Sequence, residues 1–118
     1  MAEALEERRR FPRIPAHCEV VVKALADKLA FPAASTTREV GLGGCSFVSR
    51  TPYAQGSRLH LSILPEKTIV EAEGRVAYCR RLPQGSFEVG VAFEAIKPSD
   101  QGKLQHLLES SQAGGSSK

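Results

Sequence analysis

Leu59, Leu61 and Ile63 recur at every second position with Arg58, His60 and Ser62 between them, which is the spacing of a strand buried on one face. Short extended segments of this kind occupy most of the chain. The β-branched run Val20-Val21-Val22 predicts a strand within Ala16 to Leu25, and Phe31-Pro32 with the small polar stretch Ser35-Thr36-Thr37 predicts a turn into a second one. Val40 and Leu42, then Cys45 and Phe47, alternate on either side of Gly43-Gly44, which reads as two strand segments interrupted by a glycine turn or bulge. Pro65 stops the Leu59 strand. Thr68 to Arg80 then carries Ile69, Val76 and Tyr78, and Gly85-Ser86 opens a last strand, Phe87 to Phe93, which forms a hairpin with it. Only after the helix start signal Pro98-Ser99-Asp100 do Leu104, Leu107 and Leu108 recur at helical spacing. Six or so strands with no helix between them exclude a βαβ architecture and predict an all-β fold. A small antiparallel barrel or sandwich fits, with a C-terminal amphipathic helix over one mouth, and closing a barrel removes exposed edges.

At 118 residues the chain can bury one core and not two. We divide it into a mobile N-terminal arm (1–10), a barrel domain with its helix (11–109) and a disordered Ser- and Gly-rich tail (110–118). No apolar run reaches the roughly 18 residues that span a bilayer, and no export signal precedes the domain, so no membrane insertion is expected. Cys18, Cys45 and Cys79 form neither a disulfide framework nor a CxxC motif, which predicts a reducing, cytoplasmic setting. His17, His60 and His106 are equally scattered, and no metal site is predicted. Ser46 sits in no nucleophile elbow, and His17 and Cys18, adjacent on a strand, point to opposite faces. Cys45 reads as a small core residue. The chain is expected not to be an enzyme.

The charge pattern points elsewhere. Arg8, Arg9, Arg10 and Arg13 crowd six positions, followed by Phe11-Pro12-Arg13-Ile14-Pro15, in which two prolines stiffen the backbone. Guanidinium groups grip phosphate bidentately, lie flat on a base, and bond to guanine O6 and N7, so such a clasp suits an anionic planar ligand. DNA or RNA is not the expected partner. The net charge is only +3, Glu3, Glu6 and Glu7 directly precede the arginines, and there is no Trp. Phe11 and Tyr53 are the only aromatics placed outside strands. Gly41, Gly43 and Gly44, in Glu39-Val40-Gly41-Leu42-Gly43-Gly44, serve either a turn or bulge or the approach of an anion to bare backbone N–H groups.

In order and spacing, these pieces resemble the PilZ domain family over most of the chain. Arg9-Arg10-Phe11-Pro12-Arg13 matches its R-x-x-x-R motif, and Glu39-Val40-Gly41-Leu42-Gly43-Gly44 aligns with its second motif, D/N-x-S-x-x-G. Gly56 ahead of Leu59-His60-Leu61, the Leu64-Pro65 pair, Gly74-Arg75-Val76 and Val89-Gly90-Val91-Ala92-Phe93 resemble its later strands. The resemblance implies a six-stranded antiparallel β-barrel with a C-terminal helix that acts as a bacterial signalling receptor for cyclic di-GMP. It implies Arg8, Arg9, Arg13, Glu39, Gly41 and Gly44 as ligand-binding positions, with an arm that orders on binding to control a protein partner. Two positions depart from the family. Glu39 replaces Asp or Asn, and Gly41 replaces a ligand-contacting Ser, whereas Gly44 is retained. The alternative is a divergent domain that no longer binds nucleotide and serves as a protein-interaction module in type IV pilus function or motility.

Overall fold

The computed structural model describes residues 13–26, 29, 31–65 and 67–116, with side chains as far as Glu109. The predicted arm, with Arg8 and Arg9, lies outside the described residues. Seven strands follow in chain order: β1 (Ile14–Pro15), β2 (Glu19–Ala24), β3 (Ala33–Gly41), β4 (Gly44–Ser49), β5 (Arg58–Leu64), β6 (Val70–Arg81) and β7 (Phe87–Ile96). The sequence β2-β3-β4-β7-β6-β5 is antiparallel throughout, and β5 pairs back onto β2, so six strands close into a barrel. β1 is the extra strand, paired with β3.

The alternation in the sequence becomes the barrel's lining. Leu59, Leu61 and Ile63 on β5 are fully buried, as are Val20, Val40, Cys45, Val89 and Val91, and Val22, Phe47 and Val76 nearly so. The C-terminal helix (Pro98–Ser116) adds a fully buried Leu104, and Leu107 packs against the same core. Each of the larger lining side chains contributes about 1.5–3 kcal/mol by leaving water. The helix runs on to Ser116, past Glu109, where composition places the end of the domain.

Ser35, Thr36 and Thr37 are strand residues and not the predicted turn, which lies before Ala33. The hydroxyls of Ser35 and Thr37 explain the difference, because they bridge strands: Ser35 Oγ donates to the Val48 carbonyl, and the fully buried Thr37 ties β3 to the chain ahead of β2. Phe31, beside that turn, is also outside strands and is 91% exposed, so Phe11 and Tyr53 are not the only such aromatics. Tyr53 packs edge-on against Phe47 at 6.0 Å and caps the core.

Three departures from regular pairing shape one wall. β1 and β2 lie on the same side of β3, yet Pro15 pairs with Glu39 and Glu19 with Thr36, so Ala16, His17 and Cys18 oppose only Thr37 and Arg38. Between Thr37 and Glu39 on β3, Arg38 is extra relative to β4, and between Val76 and Tyr78 on β6, Ala77 is extra relative to β7. A bulge reverses the in-and-out parity of everything beyond it.

Candidate functional site

The bulges converge on the outer surface of β3, β4, β7 and β6. Val40, Cys45, Val91 and Val76 form one inward row across the four strands, and Thr37, Phe47, Val89 and Cys79 form another. Between them runs an outward row, Glu39-Ser46-Gly90-Tyr78, flanked by Gly41-Gly44-Ala92-Arg75 on one side and Val48-Glu88-Arg80 on the other. Without the extra residues Arg38 and Ala77, period-two parity would turn Glu39 and Tyr78 towards the core.

Arg13, Glu39, Gly41 and Gly44 all come together on this wall. Ile14 pairs with Val40 and Pro15 with Glu39, which places Arg13 beside the β3–β4 hairpin. Its Nη2 lies 3.0 Å from where a side chain on Gly44 would begin. Gly44 is extended and needs no positive φ. What it requires is space, because an added Cβ would lie 2.1 Å from the Val91 carbonyl oxygen. Positive φ occurs instead in loops, at Gly56 and Gly85. Among the described residues, no ion pair engages Arg13 or Glu39.

The root of the arm is held from below. Thr37 Oγ1 donates to the Ala16 carbonyl (2.6 Å) and accepts from the Cys18 N–H (2.8 Å), while the Thr37 N–H donates to the Cys18 carbonyl (2.8 Å). The bulge that aims Arg13 is therefore stapled to the strand that carries Glu39.

Sequence reasoning missed the other half of the wall. Glu88 is only 6% exposed; its carboxylate accepts from Arg80 Nη2 (2.7 Å) and Nε (3.2 Å), Arg38 Nη1 (3.0 Å) and the Tyr78 hydroxyl (2.7 Å). Burial pushes its pKa up, but the hydrogen bonds from Arg80 and Tyr78 and the charges of Arg80 and Arg38 carry it below the usual carboxylate value. Tyr78 shifts up through burial and its bond to Glu88, against the opposing charge of Arg13. Its ring lies across Gly90, where an added Cβ would meet three ring carbons at 2.0–2.5 Å. Ser46 Oγ, in the same row, is fully buried with no hydrogen-bond partner among the described residues. One signal for this cluster was present in the sequence: counting back from the tight Leu82–Ser86 turn sets Tyr78 opposite Gly90 and Arg80 opposite Glu88.

Burial pushes the Cys45 thiol up to about 12, which keeps it neutral and unsuited to nucleophilic attack. A groove of about 550 Å³ lies elsewhere, between β5, β6, β7 and the helix. Glu71, Glu73, Glu94 and Asp100 line it, so it repels an anion. Among the described residues no cluster of metal-binding side chains occurs, and no helix is long and apolar enough to cross a membrane.

A family model described as PilZ domain matches residues 7–110. No protein of curated function matches the chain by sequence. Among solved structures, the PilZ domain of YcgR with c-di-GMP from Escherichia coli superposes with a TM-score of 0.71 at 17% identity, over 92% of this chain and 94% of that one. The Bacillus subtilis inhibitor of motility MotI/DgrA gives 0.77 at 18% identity over 91% of this chain, and the K. pneumonia MrkH–c-di-GMP complex gives 0.73 at 16% over 92%. The chain spans about half the length of these last two proteins, 52% and 53%.

Proposed function

The chain belongs to the PilZ domain family, and from that premise we propose that it is a cytoplasmic receptor for cyclic di-GMP. The observation that carries this reading is the position of Arg13, the second arginine of R-x-x-x-R, over Gly44, the retained glycine of the second motif. Two motifs separated by 25 residues of sequence meet there, with bare backbone beneath a guanidinium that no ion pair engages among the described residues. Arg8, Arg9 and Arg13 take phosphate oxygens and guanine edges, Glu39 faces the base donors, and Gly41 and Gly44 let the ligand approach the backbone. Closing the arginines on the ligand orders the arm, and the ordered arm engages a protein partner. Neighbours that carry c-di-GMP, YcgR and MrkH, and the motility inhibitor MotI support the reading by their shared fold.

Isothermal titration of the full chain with cyclic di-GMP tests it. Arg9→Ala and Arg13→Ala should each weaken binding by ~1–3 kcal/mol, the contribution of one charge-assisted bond. No heat at millimolar ligand excludes the reading.

Gly41 favours a second one. It deletes the hydroxyl that the family's motif offers, and with Glu39 in the acidic position the site has lost two of its expected contacts. A domain of this kind that binds no nucleotide would act as a protein-interaction module in motility or type IV pilus function. Its signature is a partner that binds equally with and without cyclic di-GMP.

A further inference from the structure

Tyr78 stands where regular strand parity would not put it. The extra residue Ala77 on β6 turns it from the core to the outer wall, and bulges are enriched beside functional sites because they re-aim single side chains. The ring has the flat seat that only a glycine supplies, since Gly90 beneath it could not carry a Cβ without striking Cε2, Cζ and Cδ2 at 2.0, 2.4 and 2.5 Å. It is also tethered. The hydroxyl donates to Glu88 Oε2 at 2.7 Å, and Glu88 is fixed in turn by Arg80 and Arg38. Such a ring has little rotational freedom left to lose, so a planar partner stacks on it at small entropic cost.

What lies beside it names the partner. Arg13 projects over Gly44, one outward row away, and its charge is felt at Tyr78. Gly44 also stands two strands across from Tyr78, so the two strand positions are about 12 Å apart, a gap that the Tyr78 ring shortens by reaching over Gly90 and Arg13 by reaching over Gly44. A purine laid on the ring therefore brings its edge within reach of the guanidinium. Guanine presents O6 and N7 to an arginine as paired acceptors, whereas adenine presents a donor at the matching position. We propose that Tyr78 is the stacking platform for one guanine of the bound dinucleotide, with Arg13 at its edge, an inference that rests on cyclic di-GMP being the ligand.

This assignment gives the altered second motif a compensation. The hydroxyl missing at Gly41 is a lost hydrogen bond, and base–aromatic stacking is of comparable size or larger. The contact comes from β6 and β7, so it leaves no trace in either motif.

The test is calorimetric titration of cyclic di-GMP into the full chain and its Tyr78→Phe, Tyr78→Leu and Arg13→Ala variants, with the ligand's guanine H8 resonances followed by NMR. Tyr78→Phe keeps the ring and binds within about three-fold of the parent. Tyr78→Leu keeps bulk without a π face and loses about ten-fold or more. In the parent, one H8 resonance moves upfield and shows a cross-peak to the Tyr78 ring. Binding that Arg13→Ala weakens but Tyr78→Leu leaves unchanged overturns the platform alone. Absence of any binding to the parent overturns both the platform and the reading beneath it. Should Tyr78→Leu fail to fold, the cross-peak in the parent decides, and its absence at saturation rejects the stack.

Discussion

Glu88 combines near-complete burial with three hydrogen-bonding neighbours, so its charge is needed where an isolated carboxylate would be costly. Arg38 and Arg80 remain 42% and 64% exposed, so water keeps them solvated if the carboxylate is removed. Glu88→Gln should therefore cost only about 1–2 kcal/mol at neutral pH. The folded-state pKa lies below the unfolded one, so this stabilisation is complete above the unfolded value of about 4.3 and is lost as pH falls through the folded value. Urea midpoints of parent and variant should differ at pH 7 and converge as pH falls below the folded value; a gap that persists there would assign the effect to shape and not charge. Two other residues test the proposed ligand site. Restoring the family pattern with Glu39→Asp and Gly41→Ser should tighten cyclic di-GMP binding by about ten-fold or more, ~1.4 kcal/mol, read by titration. Equal affinity in the restored chain, with its melting unchanged, would clear those departures of blame.

Among the elements, β5 and β7 were legible because each keeps one parity along the stretch that was read, and the hairpin of β7 with β6 because Gly85-Ser86 marks its turn. The Gly43–Gly44 break was legible too, since glycine there separates two buried alternations. The bulges were not. A single extra residue leaves composition unchanged while reversing which side chains face out, so Tyr78 read as a companion of Val76, and Arg38 and Glu88 drew no reading at all. Thr37 was hidden for a different reason. A threonine near serines resembles a turn former until the strand opposite supplies groups for its hydroxyl. Its role predicts that Thr37→Val, which conserves volume, strands the Ala16 carbonyl and the Cys18 N–H and costs about 2–3 kcal/mol. A lowered urea midpoint at constant m-value is the expected result. Serine at the same position keeps the staple and should recover most of the loss.

For the whole molecule, closure of the sheet gives every barrel strand two partners, so no strand peels away without breaking two ladders. Amide exchange should thus show one block of strong protection across β2 to β7. Adding cyclic di-GMP should add protection at Phe11 to Ile14 and leave that block as it was. Unchanged exchange at those amides under saturating ligand would separate binding from any output through the arm. Under the interaction-module reading, protection there appears only with a partner protein. Thr37 then acquires a mechanical meaning. By pinning Ala16 and Cys18 to the barrel wall, it turns the residues just after Arg13 into a pivot of fixed place and heading. Whatever the Arg13 tip meets, the displacement should then stop at Ala16, because the chain behind the arginine is anchored to the wall at two points.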